Sequence, residues 1–306
     1  MSDILFDRKY ALLIGPKYSG RENDPNGIKI EGLRVTFKCE KNLEKNPNAI
    51  TLEVYNLSKD SRSLLEENST RDLATGEVTK WDPKTHPPTI IFNAGYAQNI
   101  KNLFVGNTAR VVTKRVGTDI ITTIEAGDGE EAFAKARLDK SFAPGTKVND
   151  VLTNIKAALG LDKGQEKGID LKDQFLNGMT LSGPARNHLD MITERQGLEW
   201  SIQNNQLQII PRGVYTDEEV ILLNSETGLI GTPTKTKIIN KSLVKGADGK
   251  EVESGVTCTA LLNAEIKPGR RIKIESEFIN GVFRVQKVTH SGDTHSNNWY
   301  SEIEAR

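Results

Sequence analysis

The chain has 306 residues and no net charge, with 41 Lys and Arg against 41 Asp and Glu. That length holds two or three domains with sizeable cores. The neutral balance lacks the basic excess by which a protein grips nucleic acid phosphates, so non-specific nucleic acid binding is excluded as the main task, although local patches stay open.

Cys39 and Cys258 are the only cysteines, and each sits in an alternating apolar pattern (Val35, Phe37, Cys39; Val256, Cys258, Ala260, Leu262). They read as small buried hydrophobes in reduced form rather than a disulfide. The start MSDILFDRKYALLIG has acidic residues before a short apolar run and no basic segment, so no signal peptide is expected. No apolar stretch reaches membrane-spanning length, and the reading is a soluble chain that folds in a reducing compartment.

Tyr10 to Ile14 reads as a first strand, followed by a long polar loop at 15–27. Ile28 and Ile30 then alternate on even numbers and Leu33, Val35, Phe37 and Cys39 on odd ones, which predicts one long strand with a β-bulge at Glu31-Gly32. Ile50, Leu52 and Val54 give a half-buried strand, and Ser58 is placed to cap a short helix carrying Leu64 and Leu65. A second long loop, 68–88, holds Trp81 among charges. Strands follow at Thr89–Phe92, Leu103–Val105, Ala109–Thr113 and Asp119–Ala126, with Gly95, Gly106 and Gly117 read as turns. Many medium strands with glycine turns predict a curled sheet or small barrel over residues 1–128.

The pattern changes at Gly127. Glu130 to Leu138 reads as helical, and Val148, Val151, Leu152, Ile155 and Leu159 form one apolar stripe of a stronger helix, with Thr146 as N-cap and Gly160 as stop. A polar connector runs from Asp162 to Asp173, then Pro184 opens a helix that ends at Gly197. Leu198, Trp200 and Ile202 lead into Asn204-Asn205 and back through Leu207 and Ile209, a hairpin whose turn residues tolerate positive φ. Residues 129–225 thus read as an α+β module. Residues 226–306 return to β and end in a hairpin, Phe283 to Ala305, whose edges must find partners.

Candidate chemistry is sparse. The histidines are His86, His188, His290 and His295; His290, Asp293 and His295 raise a metal site, but they straddle a Ser-Gly turn and read as a hairpin. Acidic neighbours at Glu66-Glu67, Glu130-Glu131 and Asp217-Glu218-Glu219 suit helix starts and solvated loops better than a glycosidase pair. Gly127-Asp128-Gly129 lacks the Lys-Ser/Thr of a phosphate loop, and no activated nucleophile is evident. No catalytic, cofactor or metal residue is assigned. Trp81 in its polar loop is the one aromatic read as exposed, and a partner contact and a loop tucked over the core are both open readings.

Several segments in order resemble the central baseplate hub proteins of contractile-tailed bacteriophages, whose fold recurs in the N-terminal part of type VI secretion spikes. They are ITLEVYNLS (50–58), IIFNAGYAQNIKNLFVGN (90–107), TTIEAGDGEEAF (122–133), FAPGTKVNDVLTNIKAALGL (142–161), GLEWSIQNNQLQIIPRG (197–213), SETGLIGTPT (225–234), LLNAEIKPGRRIKIES (261–276) and the closing HSGDTHSNNWYSEIEA. The resemblance implies a mainly β, α+β fold with two tail-tube-like β-barrel domains (1–128 and 226–306) flanking an inserted α+β module (129–225). It implies a homotrimer whose six barrels form a pseudo-sixfold ring, joining a tail tube protein to a central spike protein among other baseplate proteins. Genomic DNA would pass through the channel without specific binding, in a virion assembled in the host cytoplasm. It implies no enzyme activity, no cofactor and no membrane. Hubs of this kind can carry fused lysozyme or spike domains; with the sequence ending at Arg306, a separate spike is expected. The alternative reading is a cell-wall-degrading or carbohydrate-binding tail module using Glu130 or Glu218 and Trp81; a secretion-spike fragment is the third.

Overall fold

The structure is a computed structural model that describes residues 7–15, 28–44, 47–66, 69–71, 78–80, 88–97, 99–166, 173–216, 218–237 and 254–306. Trp81, His86, Asp217 and most of the loops at 15–27 and 68–88 lie outside these residues.

The first body contains β1 (Arg8–Gly15), β2 (Ile28–Ile30), β3 (Val35–Asn42), β4 (Ala49–Tyr55), α1 (Lys59–Glu66), a ribbon of β5 (Ser69–Arg71) and β6 (Val78–Lys80), β7 (Thr89–Tyr96), β8 (Asn99–Val116) and β9 (Asp119–Gly127). Its main row runs β2-β1-β7-β8-β9-β4-β3, and every neighbouring pair is antiparallel. β3 and β7 stand four steps apart in that row, about 19 Å in a flat sheet. Yet Phe37 of β3 meets Phe92 of β7 with ring centroids 4.8 Å apart. The sheet therefore curls around its alternating apolar residues, among them Leu12, Val35, Leu52, Ile90, Phe104 and Ile124. The Tyr10 hydroxyl donates to the Leu33 carbonyl at 2.8 Å and accepts from the Leu33 N–H at 3.0 Å, tying β1 to the bend before β3. Ser58 caps α1 as expected, its Oγ accepting from the Ser61 N–H at 3.1 Å.

Two sequence expectations change in this body. The long bulged strand is two strands: Gly32, at φ 74, turns the chain from β2 at one end of the row into β3 at the other. The phase slip marked a break rather than an extra residue. Gly95 and Gly106 lie inside strands, because a Cβ at Gly106 would stand 2.3 Å from the Gly127 carbonyl oxygen; close strand approach, not a turn, requires that glycine. β8 is in consequence a single strand of 18 residues, and the hairpin turn is at Gly117, φ 62.

The middle module comprises α2 (Glu130–Lys135), β10 (Lys140–Phe142), β11 (Thr146–Lys147), α3 (Val148–Leu159), β12 (Asp162–Glu166), β13 (Gln174–Phe175), β14 (Met179–Leu181), α4 (Ala185–Arg195), β15 (Leu198–Gln203) and β16 (Gln206–Pro211). The α3 stripe packs with Leu189 and Ile192 of α4 and with Trp200 and Ile209 of the β15–β16 hairpin in a core of its own. Gly160 ends α3 at φ 64. Thr146 does not cap α3: its hydroxyl donates to the Ala143 carbonyl at 2.7 Å, and Lys147 holds the cap position. The first part of the connector at 162–173 is the strand β12, which lies parallel to β16. Its polar sequence hid it, because an edge strand need bury little.

The last body contains β17 (Ile221–Leu223), β18 (Leu229–Lys237), β19 (Ser254–Leu261), β20 (Arg271–Glu275), β21 (Asn280–Asp293) and β22 (Trp299–Ala305), around Val256, Ile272, Ile274, Val285, Val288 and Ile303. β18-β19-β22-β21 form an antiparallel row, β20 pairs with the first half of β21, and β17 pairs with β20. The second half of β21 pairs with β3, from Lys287↔Asn42 to Asp293↔Thr36. The terminal hairpin thus has its partners within its own chain, and the two β bodies share one 13-stranded sheet. Trp299 crosses the seam into the first core, 5.2 Å from Phe37 at an interplanar angle of 84°.

Candidate functional site

The described residues concentrate their buried polar groups where the three bodies meet. β3 ends at Asn42, β4 begins just after Asn48, and β9 ends at Gly127, so three strand ends of the first body face the β15–β16 turn of the module. Asn204 and Asn205 in that turn have φ 57 and 63, as the sequence predicted, and this conformation aims two successive backbone N–H groups the same way. They donate to Asp128, Asn204 to Oδ2 and Asn205 to Oδ1, each at 2.6 Å. Asp128 is completely buried. Lys41 Nζ, also buried, donates to the Asn204 side-chain oxygen at 2.5 Å. Asn48 Nδ2 donates to the Ile202 carbonyl at 2.7 Å and to Gln203 Oε1 at 3.0 Å, and Gln203 Nε2 returns to the Asn42 carbonyl at 2.9 Å.

Burial pushes the Asp128 carboxyl above the usual carboxylate range, and the Lys41 charge and the two turn amides pull it back. Burial likewise pulls the Lys41 ammonium below its ordinary value. The last body contributes His290 of β21, opposite Cys39 of β3, with Nδ1 2.9 Å from the Ser301 hydroxyl. Burial, helped by the Lys41 charge, lowers its pKa to about 3, so it is neutral near pH 7. A second tie lies nearby: the buried Arg284 of β21 is ion-paired with Glu199 of β15. Lys41, Asn48, Asp128, Gln203 and Arg284 are each held by a group from another body. The arrangement fixes the module's orientation on the β sheet.

The residues singled out from the sequence fall elsewhere. Asp293 pairs with Arg34 at 2.8 Å and accepts from the His295 N–H at 2.8 Å, and this Arg34 hydrogen bond holds its carboxyl below the usual range. His290 and Asp293 therefore serve different partners, and among the described residues no group of three His, Cys, Asp or Glu side chains could hold a metal. Glu130 starts α2, while Glu218 lies 3.6 Å from Arg270 in another body. Cys39 and Cys258 are free and buried, and burial raises their thiols to about 12 and about 11. Asp128 was read only as part of a failed phosphate-loop pattern. A glycine-flanked acid at a strand end, with an Asn-Asn turn later in the chain, was the available signal; nothing local marked Lys41 or Asn48.

Solved structures with this fold include the 43 kDa tail protein of prophage MuSo2 from Shewanella oneidensis, at TM-score 0.62 and 11% identity over 98% of both chains. A tail protein from Neisseria meningitidis MC58 matches at 0.61 and 8%, over 97% of this chain and 96% of its own. An E. coli protein described as a component of the type VI secretion system, with structural similarity to T4 bacteriophage tail proteins gp27 and gp5, matches at 0.55 and 10%, over 96% and 76%. No curated protein matches the sequence. The family model for the baseplate hub gp41 matches residues 20–305. With that match spanning nearly the whole sequence, the chain belongs to the baseplate hub gp41 family, a family of structural phage tail proteins.

Proposed function

We propose that three copies of this chain form the hub of a tail baseplate. In this reading residues 1–128 and 226–306 are tube-like barrels flanking the module at 129–225, whose last strand, β17, pairs onto β20 of the second barrel, and the six barrels make a pseudo-sixfold ring. One face of the ring receives the hexameric tail tube, the other the trimeric spike, and other baseplate proteins attach around it. The bore passes DNA, and a chain with equal numbers of basic and acidic side chains suits a conduit that should not retain it. The protein acts by assembly rather than catalysis, in a particle put together in the host cytoplasm.

The observation that carries this reading is the row β18-β19-β22-β21-β3-β4-β9-β8, to which each β body gives four strands side by side. Two units fused laterally in one chain are what a threefold assembly needs to present six units to a sixfold neighbour. Light scattering during gel filtration, with and without the spike protein, tests it. Three copies of the chain are expected in at least the second condition, there as a complex with the mass of three chains plus the spike, with a ring and central hole in electron images. A monomer in both conditions overturns it.

A further inference from the structure

We propose that the buried joint is a covalent cross-link site, in which the Lys41 amine attacks the Asn204 side-chain amide and joins β3 to the β15–β16 turn by an isopeptide bond. Lys41 Nζ stands 2.5 Å from Asn204 Oδ1. The amide carbon lies one carbonyl bond further, about 1.23 Å, so at a hydrogen-bond angle of about 120° it is about 3.3 Å from the nitrogen. That is the separation of a near-attack pair, and a turn of Asn204 about its last side-chain torsion offers the carbonyl face to the amine.

Both reactants are held in place from different bodies. Asn204 sits in a turn at φ 57, and Asp128 fixes that turn through the N–H groups of Asn204 and Asn205. Asn48 ties the end of the preceding strand through the Ile202 carbonyl and Gln203. Lys41, only 1% exposed, reaches the amide from β3. Holding two reacting groups in such geometry is worth effective molarities of about 10⁵–10⁸ M. The bond would close the chain between Lys41 and Asn204 and add a covalent tie where the first body and the module otherwise meet through hydrogen bonds. It does not depend on the ring.

The dry surroundings favour the reactive forms. Burial pulls the Lys41 ammonium towards the free amine, which is the nucleophile, and pushes Asp128 towards the protonated acid. The attraction between their charges opposes both changes, so few chains are poised at any moment and the bond accumulates slowly after folding. In the step itself the lone pair of the Lys41 nitrogen forms the N–C bond to Asn204 Cγ, and the carbonyl electrons move to Oδ1. Asp128, bonded to the backbone N–H of the same Asn204, gives its proton to the side-chain nitrogen and takes up the proton that the attacking nitrogen sheds. The carbonyl re-forms, the bond from Cγ to the side-chain nitrogen breaks, and ammonia leaves. One amine and one carboxamide become a secondary amide and ammonia, so no oxidant, reductant or cofactor is needed.

The test is the intact mass of the full-length chain, followed from a fresh preparation over several days near neutral pH. Aged chains are expected to be lighter by one ammonia, and their tryptic digests to hold a branched peptide that joins Lys41 to Asn204. Asn204→Gly, which suits the positive φ and so keeps the turn, should retain its full mass, as should Lys41→Met. Asp128→Asn, checked for an intact fold by circular dichroism, should slow the loss by about 10²-fold. An Asn-Asn step can also lose ammonia by closing on its own backbone as a succinimide. That loss would persist in Lys41→Met and yield no branched peptide, and it would overturn the cross-link. A wild-type chain that keeps its full mass on ageing overturns it too, and a wild-type rate in Asp128→Asn overturns the role given to that carboxyl.

Discussion

Replacing Asp128 by alanine tests whether the buried joint holds the inserted module in place. The substitution strips two backbone N–H groups, from Asn204 and Asn205, of their only described acceptor and removes a carboxylate charge that favours the ammonium form of the buried Lys41. Asp128 accepts two backbone hydrogen bonds, and a hydrogen bond to a charged group is worth about 1.5–3 kcal/mol. The two overlap, because the same desolvation enters both, so the expected loss is about 3–5 kcal/mol. Lys41→Met in the same background should cost less than it does alone, since it removes the buried charge that the carboxylate favours, with a coupling of at least about 1 kcal/mol. The assay is urea unfolding of the wild type, both single variants and the double, paired with amide exchange at the β15–β16 turn, which reports the module locally. A loss under about 1 kcal/mol for Asp128→Ala, additivity with Lys41→Met, and unchanged exchange at Asn204 and Asn205 would refute the reasoning.

His290 gives a pH dependence of known sign. Its pKa falls from an ordinary 6.5 to about 3 in the fold, so its contribution is complete above pH 6.5 and is lost as pH drops towards 3, by up to about 5 kcal/mol. The difference in unfolding free energy between wild type and His290→Asn should therefore shrink between pH 7 and 4; parallel profiles would show that burial does not suppress its protonation. Trp299→Ala should cost about 3–5 kcal/mol in chemical denaturation, because Trp299 fills the first core from the last body beside Phe37. A loss below about 1 kcal/mol would mean that the seam between the bodies does not depend on it.

The alternation of apolar residues was enough to find β3, β4 and the stripe of α3, since burying one face of a strand or helix needs no knowledge of what covers it. The Asn204-Asn205 turn and the Gly160 stop were equally plain, because φ above zero restricts which residues can stand there. Where a glycine serves distant backbone, as Gly106 serves Gly127, local pattern suggested a turn and misled. β12 stayed hidden because its stabilising partner, β16, lies some forty residues away and its own side chains are polar.

By itself, then, the order of residues determined the mainly β character, the helical interruption after Gly127, the reduced cysteines and, through resemblance, the hub family. Only the tertiary structure decided that β21 pairs with β3, that Trp299 belongs to the first core, and that Asp128, Lys41 and Asn48 meet around one turn. Local propensity reports what a segment can bury or turn. Which edge meets which, and which charges share a dry interior, depends on contacts between residues that can lie more than 250 positions apart, and no local pattern records them.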